Sequence, residues 1–367
     1  MLYKTLLNPL LFSFDPESVH QFMSKHITML ERSKALYNLV HRKCTVEDGR
    51  LEMDVFGMTF ANPVGLASGF DKNAALVRSI PAFGFGFIEI GSVSALPWEG
   101  NPKPRLFRLP KDKALINRLG LNNIGAEQVK ERLLEGKCPV PLGINIVKTP
   151  DPGIMDEAAV EDFARCYSML HHYASYVTLN ISCPNTMDGK TFEDPAALGL
   201  LLDAITVERR RRTEHKEKPV LVKLSPNLSD EQLAKVVDTC KRHDVSGFVC
   251  ANTTLKRDGL KTDAGKIQNI GRGGLSGRPL RKPALAMLKK VYRLTHGKIP
   301  LIGVGGIFTA DDAYERIKAG ASLVQLYTGF VYEGPYAVKR INQGLLKLME
   351  KEGIDSIRKA VGVNAKR

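Results

Sequence analysis

Eight short apolar runs, most of them followed by a longer amphipathic stretch, constrain this chain more than any other feature in it. They are VGLA (64–67), FIEIGSV (87–93), LGINIV (142–147), YVTLNIS (176–182), VLVKLS (220–225), GFVCANT (247–253), LIGVGG (301–306) and LVQLYTG (323–329). None alternates strictly between apolar and polar residues, which is the pattern of strands covered on both faces. Helical spacing lies between most of them, as with Leu233, Val236, Val237 and Cys240 in EQLAKVVDTCK. Eight β–α units over about 270 residues are what a (β/α)8 barrel requires. An open doubly wound sheet fits less well, because no G-x-G-x-x-G follows the first run. The expected fold is α/β, a TIM barrel spanning residues 46–367.

Residues 1–45 stand outside that repeat. Asp15 is a candidate N-cap with Pro16 at the first helical position. Val19, Phe22, Met23, Ile27 and Leu30 then recur at helical spacing. With the short apolar segment before it, the pattern predicts a small N-terminal domain of two amphipathic helices. Two uses suit such a pair: capping the barrel floor, or forming a greasy entrance that lies on a membrane and admits an apolar ligand.

The bulk composition, 43% hydrophobic and 25% charged, is that of a globular protein. The formal net charge of +14 suits nucleic acid, an anionic membrane surface or anionic small molecules as partners. Lys and Arg are scattered, however, and the one dense run, Arg209–Arg212, reads as the solvated face of a helix. With no interleaved aromatics or nucleic-acid motif, nucleic acid is not expected as a partner. Cys44, Cys138, Cys166, Cys183, Cys240 and Cys250 form no C-x-x-C pair, so reduced thiols in an intracellular, bacterial protein are expected. No apolar run approaches the ~20 residues that span a bilayer. The first residues, MLYKTLLNPLLFSF, are broken by Asn8 and Pro9 and lack a signal-peptide cleavage site.

In a barrel the active site lies at the C-terminal ends of the strands. Those ends carry Asp71, Lys72, Ser92, Asn145, Asn180, Lys223, Asn252, Thr253, Gly305, Gly306, Tyr327 and Thr328. Packing alone does not explain polar residues at matching ends of separate strands; one shared site does. GLSG (274–277), GVGG (303–306) and LYTG (326–329) place glycines where barrels usually hold a phosphate. Lys72 and Lys223 are either salt-bridged to carboxylates or stabilise negative charge on a ligand. Asn145, Asn180 and Asn252 occupy strand positions where asparagine is disfavoured, whereas Asn122 or Asn123 alone reads as a turn residue. An isolated cysteine is most often a small buried hydrophobe. Cys183 sits among Asn180, Ser182 and Asn185, with no second Cys or His at zinc-ligand spacing. An acid/base or nucleophilic role suits it better, and no metal is expected.

SGFDKN, INRLGLNN, GINI, NISCPNT, VKLSPNL, ANTTLKR, GGLSGRPL, IGVGGI and LVQLYTGF resemble, in order, the motif series of the dihydroorotate dehydrogenases. DPESVH in the extension and KPRLFRLP before the third run are similar to the quinone-dependent, membrane-associated branch. The resemblance implies an FMN enzyme of pyrimidine biosynthesis that oxidises dihydroorotate to orotate and passes electrons to a membrane quinone. It implies FMN contacts from Ser68, Gly69, Phe70, Asp71, Lys72, Ser92, Asn145, Asn180, Lys223 and Ala251, with Gly277, Gly306, Tyr327 and Thr328 at the phosphate. Orotate would be held by Lys72, Asn117, Arg118, Leu119, Gly120, Leu121, Asn180, Asn185, Asn252 and Thr253. Cys183 would be the base that removes a C5 proton. His20, Arg108 and Tyr327 would surround a quinone tunnel formed with the N-terminal domain, peripheral on the cytoplasmic side of the membrane.

The quinone branch usually carries serine where this chain has Cys183 and phenylalanine where it has Leu121. Cysteine and leucine are the soluble branch's residues, and Ala251 replaces a common threonine. A soluble-type enzyme using fumarate or NAD is therefore the alternative, and a nucleotide-binding scaffold a more distant one. The N-terminal extension, a whole structural element, favours quinone.

Overall fold

The computed structural model describes residues 3–181, 192–211 and 217–365. All eight apolar runs form strands and close into one parallel barrel in chain order. The strands are β1 (Val64–Leu66), β2 (Phe87–Val93), β3 (Leu142–Ile146), β4 (Tyr176–Asn180), β5 (Val220–Leu224), β6 (Gly247–Cys250), β7 (Leu301–Val304) and β8 (Leu323–Leu326). Closure is made by β8 on β1, with Val324 opposite Val64 and Leu326 opposite Leu66. Two strand glycines make room for rings inside the barrel. A Cβ on Gly65 would lie 2.4 Å from the Phe87 ring, and one on Gly143 would lie 2.3 Å from the Tyr176 ring.

The floor is closed by a hairpin of Met53–Val55 and Met58–Phe60. Phe56 at its tip lies against the Tyr176 ring at 6.0 Å, and Gly247 at the start of β6 packs against the same side chain. The first crossover differs from the expected β–α unit: between β1 and β2 lies a 3-10 turn, Ile80–Phe83, in place of an α-helix. Pro81 is its second residue, and Gly84 at φ +88° ends it against the Cys44 carbonyl.

An antiparallel sheet outside the barrel was not legible in the sequence. It pairs Leu106–Leu109 and Gly274–Gly277 on either side of Ala114–Asn117. GLSG, which reads as a glycine turn, is thus an edge strand. Its glycine at 274 allows close approach, since a Cβ there would meet the Thr253 hydroxyl at 2.1 Å.

The N-terminal segment folds into three α-helices instead of two: α1 (Asn8–Phe12), α2 (Pro16–Ile27) and α3 (Lys34–Cys44). Asp15 caps α2 by accepting from the Ser18 N–H at 2.8 Å, and Ser33 caps α3. The α3 helix packs against the 3-10 turn. The α2 helix lies by the C-terminal ends of the strands, not on the floor. Its Glu17 meets Arg105 at 2.8 Å, with both side chains nearly buried, and Arg105 also donates to the Glu99 and Asn101 carbonyls.

That pair predicts how α2 detaches. The Arg105 hydrogen bonds hold the Glu17 carboxyl below its ordinary value. Its contribution is therefore complete above the unfolded carboxylate range near ~4.3 and is lost as pH falls through the lower folded value. Hydrogen exchange should show residues 16–27 opening before the barrel strands as pH drops from about 5 to 3. Arg105→Leu should produce the same opening at neutral pH, at a cost of roughly 3 kcal/mol, because it strands a buried carboxylate. Equal protection of α2 in wild type and variant would contradict this.

Candidate active site

The strand ends open on a cavity whose empty volume, counting space open to solvent, is about 1100 Å³. Ser68, Gly69 and Lys72 reach it from the loop after β1, and Ser92, Asn180 and Lys223 from β2, β4 and β5. Ala251, Asn252 and Thr253 follow β6, Gly305 and Gly306 follow β7, and Tyr327 and Thr328 follow β8. The outer sheet and the chain after it roof the cavity with Asn117, Leu119, Leu121 and Gly277.

Lys223 is 6% exposed, between fully buried Val222 and Leu224. Its strand position turns the ammonium to the interior, where Nζ donates to Ser68 Oγ at 2.8 Å. Lys72 Nζ donates to Asn122 Oδ1, so Asn122, which alone reads as a turn residue, supports a site lysine. A relay of amides crosses the base of the cavity. Asn252 Nδ2 donates to Asn180 Oδ1 at 3.4 Å, and Asn180 Nδ2 donates to Ser92 Oγ at 3.0 Å. Ser92 donates in turn to Asn145 Oδ1, and Asn145 Nδ2 donates to Glu89 Oε1 at 3.0 Å.

Some of the expected contacts do not line the cavity. Asn145 is fully buried behind Ser92. Asp71 is buried too; its carboxylate accepts from the N–H groups of Asn73, Ala75 and Leu76 and so staples the loop that carries Lys72. Burial pushes the Asp71 carboxyl up, against those hydrogen bonds. Arg118 turns away, donating to the Ile270 carbonyl at 2.7 Å and the Pro104 carbonyl at 3.1 Å, over the Phe107 ring. Gly120, at φ +71°, packs on Asn101. Leu119 and Leu121, on either side of it, do line the cavity. Cys183 and Asn185 lie outside the described residues.

Phe70 belongs to a file of rings. It lies 4.9 Å from His20 of α2 on one side and 5.6 Å from Tyr327 on the other. The file runs from the N-terminal helices to the cavity wall. Desolvation and the Lys72 ammonium hold the His20 imidazole below its ordinary value. Burial pushes the Tyr327 phenol up to about 12. Arg108 stands apart from the file, donating to the Phe14 carbonyl at 2.7 Å and lying over the Phe12 ring.

Sequence reasoning passed over Asn123, Glu89 and Gln325. Asn123 is buried; its Oδ1 accepts from the Ser94 and Gly125 N–H groups and its Nδ2 donates to the Leu121 carbonyl, fixing the roof loop. An acidic residue inside the apolar run FIEIGSV was the signal for Glu89.

The family model for dihydroorotate dehydrogenase matches residues 50–349. This chain belongs to the dihydroorotate dehydrogenase family. A dihydroorotate dehydrogenase (quinone) of Nostoc sp. is 39% identical, the match covering 100% of this chain and 99% of that protein. The Deinococcus deserti protein of the same name is 42% identical over 99% and 100%. Among solved structures, ligand-free DHODH from Eimeria tenella superposes with a TM-score of 0.85 at 32% identity, over 96% of this chain and 100% of that one. Its complex with ferulenol gives 0.84 at 31%, over 96% of both chains.

The family is FMN-dependent, and the cavity suits that group. Gly277 and Gly306 have φ of +93° and +72°, and a Cβ would meet the Lys113 carbonyl at 2.3 Å or Arg281 Cα at 2.5 Å. Both points line the cavity, and only glycine can hold the main chain there in this conformation, of the kind that backbone anion cradles use. Gln325 lines the cavity, and its buried Oε1 has no hydrogen-bond partner among the described residues. It suits an N–H donor on a bound molecule.

Proposed function

We infer that this chain oxidises dihydroorotate to orotate in pyrimidine biosynthesis, with FMN as cofactor and a quinone as the final acceptor. The observation that carries this reading is the convergence of Lys72, Lys223, Asn180, Asn252 and Thr253 on one cavity, in a chain whose relatives are named dihydroorotate dehydrogenase (quinone). Bound FMN supplies a two-electron acceptor. In this reading Ser68, Gly69, Lys72, Ser92, Asn180, Lys223 and Ala251 hold its ring system and ribityl chain, and Gly277, Gly306, Tyr327 and Thr328 its phosphate. Phe70, Asp71 and Asn145 support these contacts from behind.

Oxidation removes a proton from C5 of dihydroorotate and a hydride from C6. Cys183, three residues beyond the end of β4, is assigned the proton. Lys72, Asn117, Asn180, Asn185, Asn252 and Thr253 provide N–H and O–H donors for the carboxylate and carbonyl oxygens of the substrate, and Leu119 and Leu121 exclude water above it. The two lysine ammoniums favour an anionic ligand.

The ring file His20, Phe70 and Tyr327 gives an apolar quinone a way in beside α2, with Arg108 securing the α1–α2 connection. Leu7, Leu10, Phe14, Phe22, Met23 and Met29 are exposed on this segment, which suits peripheral docking on the cytoplasmic face of a membrane. No described helix is long and apolar enough to cross one.

The absorption spectrum of the purified protein tests the reading: a flavin band that dihydroorotate bleaches anaerobically is expected, and a colourless protein would sink it. Steady-state assays should show quinone preferred over fumarate and NAD. Deleting residues 1–32 removes α1 and α2 and leaves α3 on the barrel. It should abolish quinone reduction while dihydroorotate still bleaches the flavin. Unchanged quinone turnover would remove α2 from the route.

A further inference from the structure

We propose that Glu89, which does not line the cavity, is a positioning residue that sets which end of each amide at the cavity base faces the ligand. The proposal rests on FMN-dependent dihydroorotate oxidation as the chain's function. Glu89 lies in the middle of β2, fully buried in the barrel interior. Oε1 accepts from Asn145 Nδ2 at 3.0 Å. Oε2 accepts from Tyr176 OH at 3.2 Å, Thr178 Oγ1 at 3.2 Å and Gln325 Nε2 at 3.0 Å. Four donors therefore converge on one carboxylate, which offers them only lone pairs. Burial and the nearby carboxylate push the Tyr176 phenol well above its ordinary value, so it remains a donor.

An amide can turn over and exchange its oxygen for its N–H group at little steric cost, so something must choose. Against Glu89, Asn145 can only present Nδ2. Its Oδ1 then faces Ser92, which donates to it. The Ser92 oxygen is thereby left to accept from Asn180 Nδ2, which leaves Asn180 Oδ1 toward Asn252 Nδ2. Each step fixes the next, and the last three members line the cavity. A second arm follows the same rule. Gln325 gives Nε2 to Glu89, so the atom left without a partner among the described residues is its carbonyl oxygen, Oε1. One carboxylate thus orients donors and acceptors on both sides of the cavity base, without touching the ligand.

Glu89→Gln tests this, since glutamine has nearly the same shape but brings its own N–H group. Both arms lose their fixed direction. FMN release from the purified holoenzyme, followed by free-flavin fluorescence, should show a Kd raised roughly tenfold to a hundredfold. The absorption maxima of the flavin that stays bound should also shift. Thr178→Val removes a donor from the same carboxylate without entering either arm. It should lower thermal stability but leave Kd within about twofold and the spectrum unchanged. An unaltered Kd and spectrum in Glu89→Gln would overturn the proposal, as would an equal change in Thr178→Val, which would reduce the effect to packing. If Glu89→Gln yields no folded protein, Gln325→Met decides. A Kd raised about tenfold supports the proposal, and an unchanged one overturns it. Wild-type protein purified without flavin would instead sink the functional reading itself.

Discussion

Cys183→Ala should keep its FMN yet be reduced by dihydroorotate about 10²- to 10⁴-fold more slowly, the usual cost of losing a general base. A thiol with a reference pKa near 8.5 leaves about a few per cent thiolate at neutral pH, enough to act without a metal. A hydroxyl is much harder to deprotonate unaided, so Cys183→Ser should retain part of the activity with a profile shifted to alkaline pH. None of the described cysteines is suited to replace it. Burial pushes the thiols of Cys44, Cys166 and Cys240 up, that of Cys138 to about 11 and that of Cys250 to about 12. Stopped-flow bleaching of the flavin band measures the step directly. Wild-type bleaching in the alanine variant would remove Cys183 from the chemistry.

Gly306→Val should raise the Kd for FMN on the order of 10²-fold or more. Two independent costs act together. The φ of +72° is a conformation that a β-branched residue resists, and the added Cβ meets Arg281 Cα at 2.5 Å and its main-chain nitrogen at 2.7 Å. Neither neighbour is a flexible side-chain tip. Arg281 is held in turn, because its carbonyl accepts from the buried Arg316 guanidinium at 2.6 Å. The main chain around 306 must therefore move, and with it the anion cradle. Gly49→Ala provides the control, since a Cβ there meets nothing within 4 Å; fluorescence titration should find its Kd unchanged. If Gly306→Val binds FMN as wild type does, the phosphate is held elsewhere.

The barrel was legible because its signal is local. Eight buried parallel strands read as eight apolar runs, and each run formed a strand of the closed barrel. The third N-terminal helix was harder to see. Its cap, Ser33, was present in the sequence, but its last turn, His41 to Lys43, is basic and solvent-facing and masks the apolar spacing. The outer sheet was hard to see because its edge strand GLSG joins the local hairpin of Leu106–Leu109 and Ala114–Asn117 from some 160 residues away, Gly277 pairing with Ala114 and Gly274 with Asn117.

Within the site, residue type alone located Lys72, Lys223, Asn180 and Asn252, since amides and cations are out of place at the ends of apolar strands. It did not separate Ser92, which lines the cavity, from Asn145, which acts from behind it, because both carry a hydrogen-bonding group at a strand end. Arg118 and Leu119 are adjacent in the chain, yet one turns to the Ile270 carbonyl and the other to the cavity.

By itself, the sequence determined the barrel and the end of it at which the polar side chains gather, because periodicity and residue type are properties of short segments. The tertiary structure alone decided that α2 lies beside the cavity, that the outer sheet roofs it, and that Glu89 gathers four donors beneath it. These depend on contacts between residues far apart in the chain: Glu17 with Arg105, Gly274 with Asn117, Glu89 with Gln325. No local pattern encodes such pairings; they exist only once the barrel has closed.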